Sequence, residues 1–386
     1  MGERTAEPGR RPSLSERATP MGGRGAGAAH PARATLREVA VEAGVHPATA
    51  SRALNEETRA LVAEATVARV LAAARRLDYR PNHLARGLKT RRSATIGVIL
   101  PDLTNPLFPP IVRGVEDLLG PQGYVALVAN TDNDDERERR VITEMRNRHV
   151  DGLIVATAHR HHPHLLEAAQ SGTPVVLVNR IVEDHPLPSV SVDDQAGVRA
   201  ALTYLVELGH RRIAHIAGPQ DLSTGHGRYR GYVEGLRAAG LDHDPGLVTF
   251  AGAFSEAEGH RAAEELFGRR RRFSAVLAGN DMLALGVLRC LHERGLSCPA
   301  GCSLVGFNDM PFMDRVSPPL TTVRVPHYDV GVEAARLLLE RIRDESTPIK
   351  VVRLPPALVV RESAAALDPG ARPRPTTRNG GRTLAR

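Results

Sequence analysis

Apolar residues recur along this chain with two different periods. Before residue 80 the period is helical. Leu36, Val39, Ala40 and Ala43 fall at i, i+3, i+4 and i+7, which makes one stripe on one helix face. Thr35 and Glu38 form a capping box at the start of that helix. Gly44 suits the turn that follows, because a residue without Cβ takes a positive φ at little cost. Pro47 suits the first position of a second helix, where its missing N–H would have no partner. There Ala50, Ala53 and Leu54 face back to the first helix and leave Ala48, Thr49, Ser51 and Arg52 outward. A third helix is predicted over 63–77, with Val67, Val70, Leu71, Ala74 and Leu77 as its inner stripe.

From Thr95 onward the pattern changes to short β-rich runs separated by helical stretches. TIGVIL, YVALVAN, GLIVA and PVVLVN alternate with helices predicted near 108–120, 134–148 and 162–171. A second series, RIAHIAG, LVTFAG, SAVLAG and SLVGF, alternates with helices near 194–209, 226–239, 255–268 and 280–294. Strands apolar on both faces that alternate with helices predict parallel α/β sheets. Two such series predict two doubly wound subdomains, with a cleft between the carboxyl ends of their strands.

The first three helices have the form of a helix-turn-helix whose second helix can enter a DNA major groove. Many αα-hairpins bury an apolar stripe and bind nothing, so the charge distribution matters. Residues 1–92 carry 17 Lys and Arg against 9 Asp and Glu, whereas 93–366 is slightly acidic, which points to an anionic polymer as partner of the front alone. The outward face of the second helix has no Phe, Trp or acidic residue and ends in Arg52. Residues 1–33 and 364–386 are rich in Gly, Pro and Arg without periodicity, and are expected to be disordered basic tails. Three cysteines, Cys290, Cys298 and Cys302, argue against a disulfide scaffold and for buried thiols in a reducing cytoplasm, with the protein at the nucleoid. No apolar run approaches a membrane span and no apolar signal core is seen, so no membrane partner is expected.

Candidate chemistry sits at strand ends and helix starts. Asp102 and Asn105 follow the first strand, and Phe108 opens the next helix. Asn179 and Arg180 close the fourth strand, and Asp193 precedes a helix, where it is equally suited to capping it. Thr224, Arg228, Phe254, Asn280 and Asn308 follow the strands of the second series. Planar Arg and amide groups beside aromatic faces suit a sugar or another polyhydroxylated molecule. His159, His161, His162 and His164 crowd one stretch that reads as a solvated loop rather than a metal site. There is no nucleophile–base pattern and no G-x-S-x-G, H-E-x-x-H or Walker motif. Neither an enzyme activity, nor a cofactor, nor a metal is expected.

Val39-Ala40, Ala43-Gly44-Val45, Thr49, Ser51-Arg52 and Leu54-Asn55 closely match the DNA-binding headpiece of the lac-repressor (LacI/GalR) family of bacterial transcription regulators, which this chain resembles. The resemblance continues through the α/β series to LPPALVVRES near the end. It implies a small all-α helix-turn-helix headpiece over 34–80, a hinge helix or linker over 81–93, and a periplasmic-binding-protein-like effector and dimerisation domain over 94–363. The helix near 327–344 would return to the first subdomain. It further implies a homodimer on a pseudo-palindromic double-stranded operator, most simply as a repressor, controlled by a small-molecule effector, a carbohydrate first. DNA contacts would come from Thr35, Pro47, Ala48, Thr49, Ser51, Arg52 and Asn55. In the hinge, Leu88 would wedge into the minor groove and Lys89 would sit near phosphate. Phe108, Arg180, Thr224, Arg228, Phe254, Asn280 and Asn308 fall where relatives contact effectors; Asn179 and Asp193 join them as strand-end candidates. Relatives often carry Asp where this chain has Asn308. They also cap the third helix with Ser, where this chain has Ala63, a loss worth about 1 kcal/mol. A solute receptor of the same fold is disfavoured by the headpiece.

Overall fold

A computed structural model describes residues 34–55, 58–79 and 92–367. The chain divides into two units, Met1–Asn82 and His83–Arg386. The tail over 1–33, residues 368–386 of the other tail and residues 80–91, with Leu88 and Lys89, lie outside the described residues.

The first unit is three helices, α1 (Leu36–Glu42), α2 (Pro47–Leu54) and α3 (Glu64–Arg76). The capping box is formed: Glu38 N donates to Thr35 Oγ1 at 3.3 Å and Thr35 N to Glu38 Oε2 at 2.6 Å. Gly44 takes φ +64° between α1 and α2. The α2 cap is His46, whose Nδ1 accepts from Ala48 N at 3.2 Å. Ala63 caps α3 with no side-chain hydrogen bond, as its lack of a hydroxyl requires. The core is Val39, Ala40, Ala43, Ala50, Ala53, Val67, Val70, Ala73 and Ala74. Only Val and Ala are fully inside, so the three helices approach closely and little apolar area is buried.

The second unit holds two six-stranded sheets. The first has the order β11-β5-β4-β3-β1-β2, from β1 (Thr95–Leu100), β2 (Val125–Asn130), β3 (Gly152–Val155), β4 (Val175–Val178), β5 (Ser189–Val192) and β11 (Val351–Leu354), all parallel. The second has the order β12-β10-β9-β8-β6-β7, from β6 (Ile213–Ala217), β7 (Val248–Phe250), β8 (Ala275–Ala278), β9 (Ser303–Asn308), β10 (Thr321–Arg324) and β12 (Ala357–Val359). Here only β12 runs antiparallel, against β10. The eight strand runs in the sequence are all present. The additional strands β5, β10, β11 and β12 are short and carry Ser, Thr, Arg or Pro neighbours that hide a β signal.

The helices of this unit are α4 (Phe108–Leu119), α5 (Asp135–Asn147), α6 (Pro163–Gln170), α7 (Asp194–Glu207), α8 (Ser223–Ala238), α9 (Glu256–Gly268), α10 (Asp281–Glu293) and α11 (His327–Arg343). α7 packs on α8 and β10, so the chain leaves the first sheet after β5. α11 packs on α4, β3, β4 and β5, so it returns before β11 and crosses again into β12. These three crossings leave the carboxyl ends of both sets of parallel strands facing one cleft. The unit continues past residue 363: Ala364 is buried and Leu367 N donates to Leu208 O at 2.7 Å. Where a tail beginning at residue 364 is expected, the chain thus stays hydrogen-bonded to the body as far as Leu367, although Ala365, Ala366 and Leu367 are exposed.

Candidate functional site

On the headpiece, α2 presents the proposed DNA face. Ala48, Ser51 and Arg52 are exposed, Pro47, Thr49 and Asn55 half-buried, while Ala50 and Ala53 point inward with none of their surface exposed. The periodicity therefore sorts α2 into core and face as read. Among the described residues Arg52 makes no ion pair, so its guanidinium is free to meet an acceptor such as a guanine edge. Thr35 is committed to the cap of α1.

In the second unit the cleft is lined by Asn105, Leu107, Phe108, Asn179, Arg180, Thr224, Arg228, Phe254, Asn280 and Asn308. Eight of the nine expected effector residues converge there. Asp193 does not: its Oδ1 accepts from Ala196 N at 2.8 Å and caps α7. The acid that enters this site is its neighbour Asp194. Arg228 Nε donates to Asp194 Oδ1 at 2.7 Å, Nη1 to Gly279 O at 2.8 Å and Nη2 to Asn308 Oδ1 at 3.3 Å. The same guanidinium lies 3.9 Å over the Phe307 ring. Burial raises the Asp194 carboxyl above its ordinary value, and the Arg228 charge opposes that rise. Asp194 and Phe307 were not singled out in the sequence. The only signal was the paired acid Asp193-Asp194 at a helix start.

Local chemistry explains several of these positions. Asn179 takes φ +64° and Asn308 φ +120°, backbone that disfavours most side chains and tolerates Asn more than bulky residues. Asn280 Oδ1 accepts from Leu283 N at 2.9 Å, capping α10. Gly225 lets the first turn of α8 rest against the Pro219 carbonyl, which a Cβ would overlap. The cavity within these side chains is about 30 Å³, room for one water. Pockets for small ligands are usually about 300–1,000 Å³, so in this conformation the side chains fill the cleft.

A strap joins the subdomains beside the cleft. From the loop after β3, Arg160 N donates to Asp221 O at 2.8 Å and Arg160 Nη1 to Gln220 O at 3.2 Å, while His159 Nδ1 lies 3.0 Å from Asp221 Oδ2. Ile181 N donates to Ser223 Oγ at 2.9 Å. His162 is buried 3.2 Å from buried Glu138, which also accepts from Thr157. The histidine-rich stretch is therefore only in part the solvated loop expected from its polarity: His161 is exposed, His159 and His164 are half-buried and His162 is buried. Asp221, Asp184 and Glu138 from other elements lie within hydrogen-bond reach of His159, His161 and His162, which sequence spacing does not reveal.

Other features have structural explanations. His260, Glu264 and Glu293 have ligand atoms within 4.8 Å of one another, the one such cluster among the described residues. Glu264, however, accepts from Arg294 and Cys290, and Glu293 from Arg289, so their charge is already met. Burial pushes the Cys290 and Cys298 thiols up to about 12 and Cys302 higher still, which keeps all three as unreactive thiols. A larger hollow of about 560 Å³, lined by Arg92, Arg146, His149 and Asp151 among others, lies near the amino ends of β1, β3 and β4. It is remote from the strand ends where ligands of this architecture bind.

Residues 35–82 match the family described as bacterial regulatory proteins, lacI family, and residues 202–364 match a periplasmic binding protein-like domain. The chain is 36% identical over 335 residues to the ribose operon repressor of Bacillus subtilis (strain 168), covering 87% of this chain and all of that protein. Among solved structures it is similar to the transcriptional regulator CelR–cellobiose complex, with 34% identity, a TM-score of 0.67 and coverage of 86% of this chain and 100% of that one. It is also similar to the lac repressor dimer bound to operator and the anti-inducer ONPF, with 26% identity, a TM-score of 0.78 and coverage of 86% and 99%.

Proposed function

The chain belongs to the lacI family of bacterial regulatory proteins, and from that premise we propose that it is a homodimeric repressor whose operator affinity is set by a small polar effector in the cleft. The observation that carries this reading is the convergence of Phe108, Asn179, Arg180, Thr224, Arg228, Phe254, Asn280 and Asn308 from separate connections onto one cavity. Regulation of transcription through DNA is the family's function, and the relatives are regulators rather than enzymes. The ribose operon named for one relative and the cellobiose bound in another support a sugar or similar polyol as effector.

The division of labour follows from the two sites. Arg52 reads a base edge by a bidentate pair, while Pro47 and Ala48 offer apolar contact to a thymine methyl. Thr49, Ser51, Asn55 and Lys89 serve the phosphate backbone and Leu88 the minor groove, while Thr35 acts by fixing the start of α1. The effector acts by stabilising one arrangement of the two subdomains, and it shifts operator affinity only by its differential affinity for the two arrangements, typically about 1–3 kcal/mol.

The test is genome-wide mapping of bound DNA followed by titration of the recovered site. An inverted repeat upstream of transport or catabolic genes is expected. Arg52→Ala should weaken binding to that site by about 1–3 kcal/mol and relax one position per half-site, with random DNA bound as before. Equal loss on operator and random DNA would remove Arg52 as a base reader. Binding scattered without a common repeat would remove the operator reading itself.

A further inference from the structure

Arg180 and Arg228 lie in the same cleft but in opposite circumstances. Arg228 is matched by Asp194, by Gly279 O and by Asn308. Arg180 is 6% exposed, and among the described residues its side chain has no hydrogen-bond acceptor and no ion pair; its Nε is buried without a partner. Burial lowers its pKa to about 10, so it stays charged near neutrality. The carboxylates whose field reaches it are engaged elsewhere: Asp221 with His159, and Glu138 with His162 and Thr157.

The walls of the cleft do not supply the missing charge. Among the described residues no carboxylate lines the cavity, Asp194 being taken up by Arg228; its polar groups are Asn105, Asn179, Asn280, Asn308 and Thr224 beside the two arginines. Thr224 Oγ1 is likewise buried without a partner. A nearly buried guanidinium with no partner is destabilising, and strain of this kind is retained where function needs it. Amides and a hydroxyl suit the hydroxyls of a polyol, and they leave one positive charge uncompensated. We propose that the effector is an oxyanion-bearing polyol, a sugar carboxylate or sugar phosphate, whose charged group pairs with Arg180. The inference rests on the cleft's being the effector site, as proposed above, and adds the ligand's charge.

The experiment uses the full chain and matched probes at one ionic strength: D-glucose and D-ribose as neutral sugars, D-gluconate and D-glucuronate as carboxylates, and D-glucose 6-phosphate. Calorimetric titration should give at least one anionic probe an affinity tenfold or more above both neutral sugars. The carboxylate and phosphate arms decide which oxyanion is preferred. Arg180→Gln should erase that preference. Arg180→Met should raise the melting temperature of the unliganded protein, because it removes an unmatched buried cation. Neutral sugars binding as tightly as anions, an Arg180→Gln protein that keeps the preference, or no probe binding at all would overturn the proposal. Neutral sugars that bind and release operator would overturn it while sustaining the effector cleft. Anions that bind through Arg180 without altering operator affinity would sustain the anion site and remove the regulatory reading.

Discussion

The headpiece and the cleft build their surfaces from opposite materials. On the headpiece, the proposed DNA face and two of the nine core residues lie on the same eight residues of α2: Ala50 and Ala53 inward, Ala48, Ser51 and Arg52 outward. The cleft draws on separate connections spread from Asn105 to Asn308. The headpiece core is nine Val and Ala residues, whereas the body core includes Tyr232, Phe307 and many Ile and Leu side chains with none of their surface exposed. A face carried by one helix depends on that helix holding its place in a thin core. A site assembled from loops depends on two large sheets, and individual contacts within it are long-range ion pairs and hydrogen bonds. The two regions should therefore fail in different ways.

The largest expected effect lies in the thin core. Val70→Asp buries a carboxylate with no partner in a nine-residue core, and polar burial of this kind costs several kcal/mol at the least. The headpiece should unfold and specific operator binding vanish, while the melting temperature of the body stays where it was. A shift of the body transition by as much as the headpiece transition would show that the two regions are not energetically separate.

Within the body, Arg228→Met should destabilise by about 3 kcal/mol, because it strands Asp194, which is largely but not fully buried. Adding Asp194→Asn should recover most of that loss, since a neutral amide has no charge to match. Urea titration of the single and double variants gives the coupling between them. An additive pair would mean that the ion pair does not hold the cleft. Loss of effector response in Arg228→Met alone is thus a poor guide to ligand contact, and the double variant is the cleaner one.

The body should also respond to acid. Burial lowers His215 and His327 from 6.5 to about 4, with His210 and His226 shifted the same way by burial. Between pH 6.5 and 4 the unfolded chain therefore binds protons at these groups that the folded chain refuses. Stability is whole above pH 6.5 and falls as pH drops toward 4. Asp281, raised to about 7 by burial, works the other way, since the folded state holds its proton between the ordinary value of 3.8 and about 7. Asp281 offsets one of the two deeply buried histidines, and His210 and His226 add to the loss, so body stability falls on balance as pH drops toward 4. His327→Leu should flatten the slope of body stability against pH by about one proton. An unchanged slope would take His327 out of the acid response.

The smallest expected effect is a gain. Ala63→Ser restores an oxygen at the uncapped start of α3 and should stabilise the headpiece by about 1 kcal/mol, with no change in the body. Thermal melts of the headpiece transition in the two proteins measure it. No gain would place the cost of Ala63 elsewhere than in the missing cap.

What the sequence determined by itself was everything that rests on short separations. The stripe on α1, the Thr35–Glu38 box, the turn at Gly44, Pro47 at the start of α2 and the uncapped Ala63 all involve residues a few positions apart, and all are present. Apolar runs long enough to be buried on both faces marked eight strands, and the residues at their carboxyl ends marked the cleft. Tertiary structure decided the rest. Asp193 and Asp194 are adjacent and chemically identical. One caps α7 three residues on, and the other meets Arg228 across a sequence gap of 34, which only the packing of α7 on α8 can close. His162 finds Glu138, and His159 finds Asp221, by the same kind of meeting. The charge of Arg180 was legible. That no described residue matches it was not, because a missing partner is a property of every element around the cleft at once.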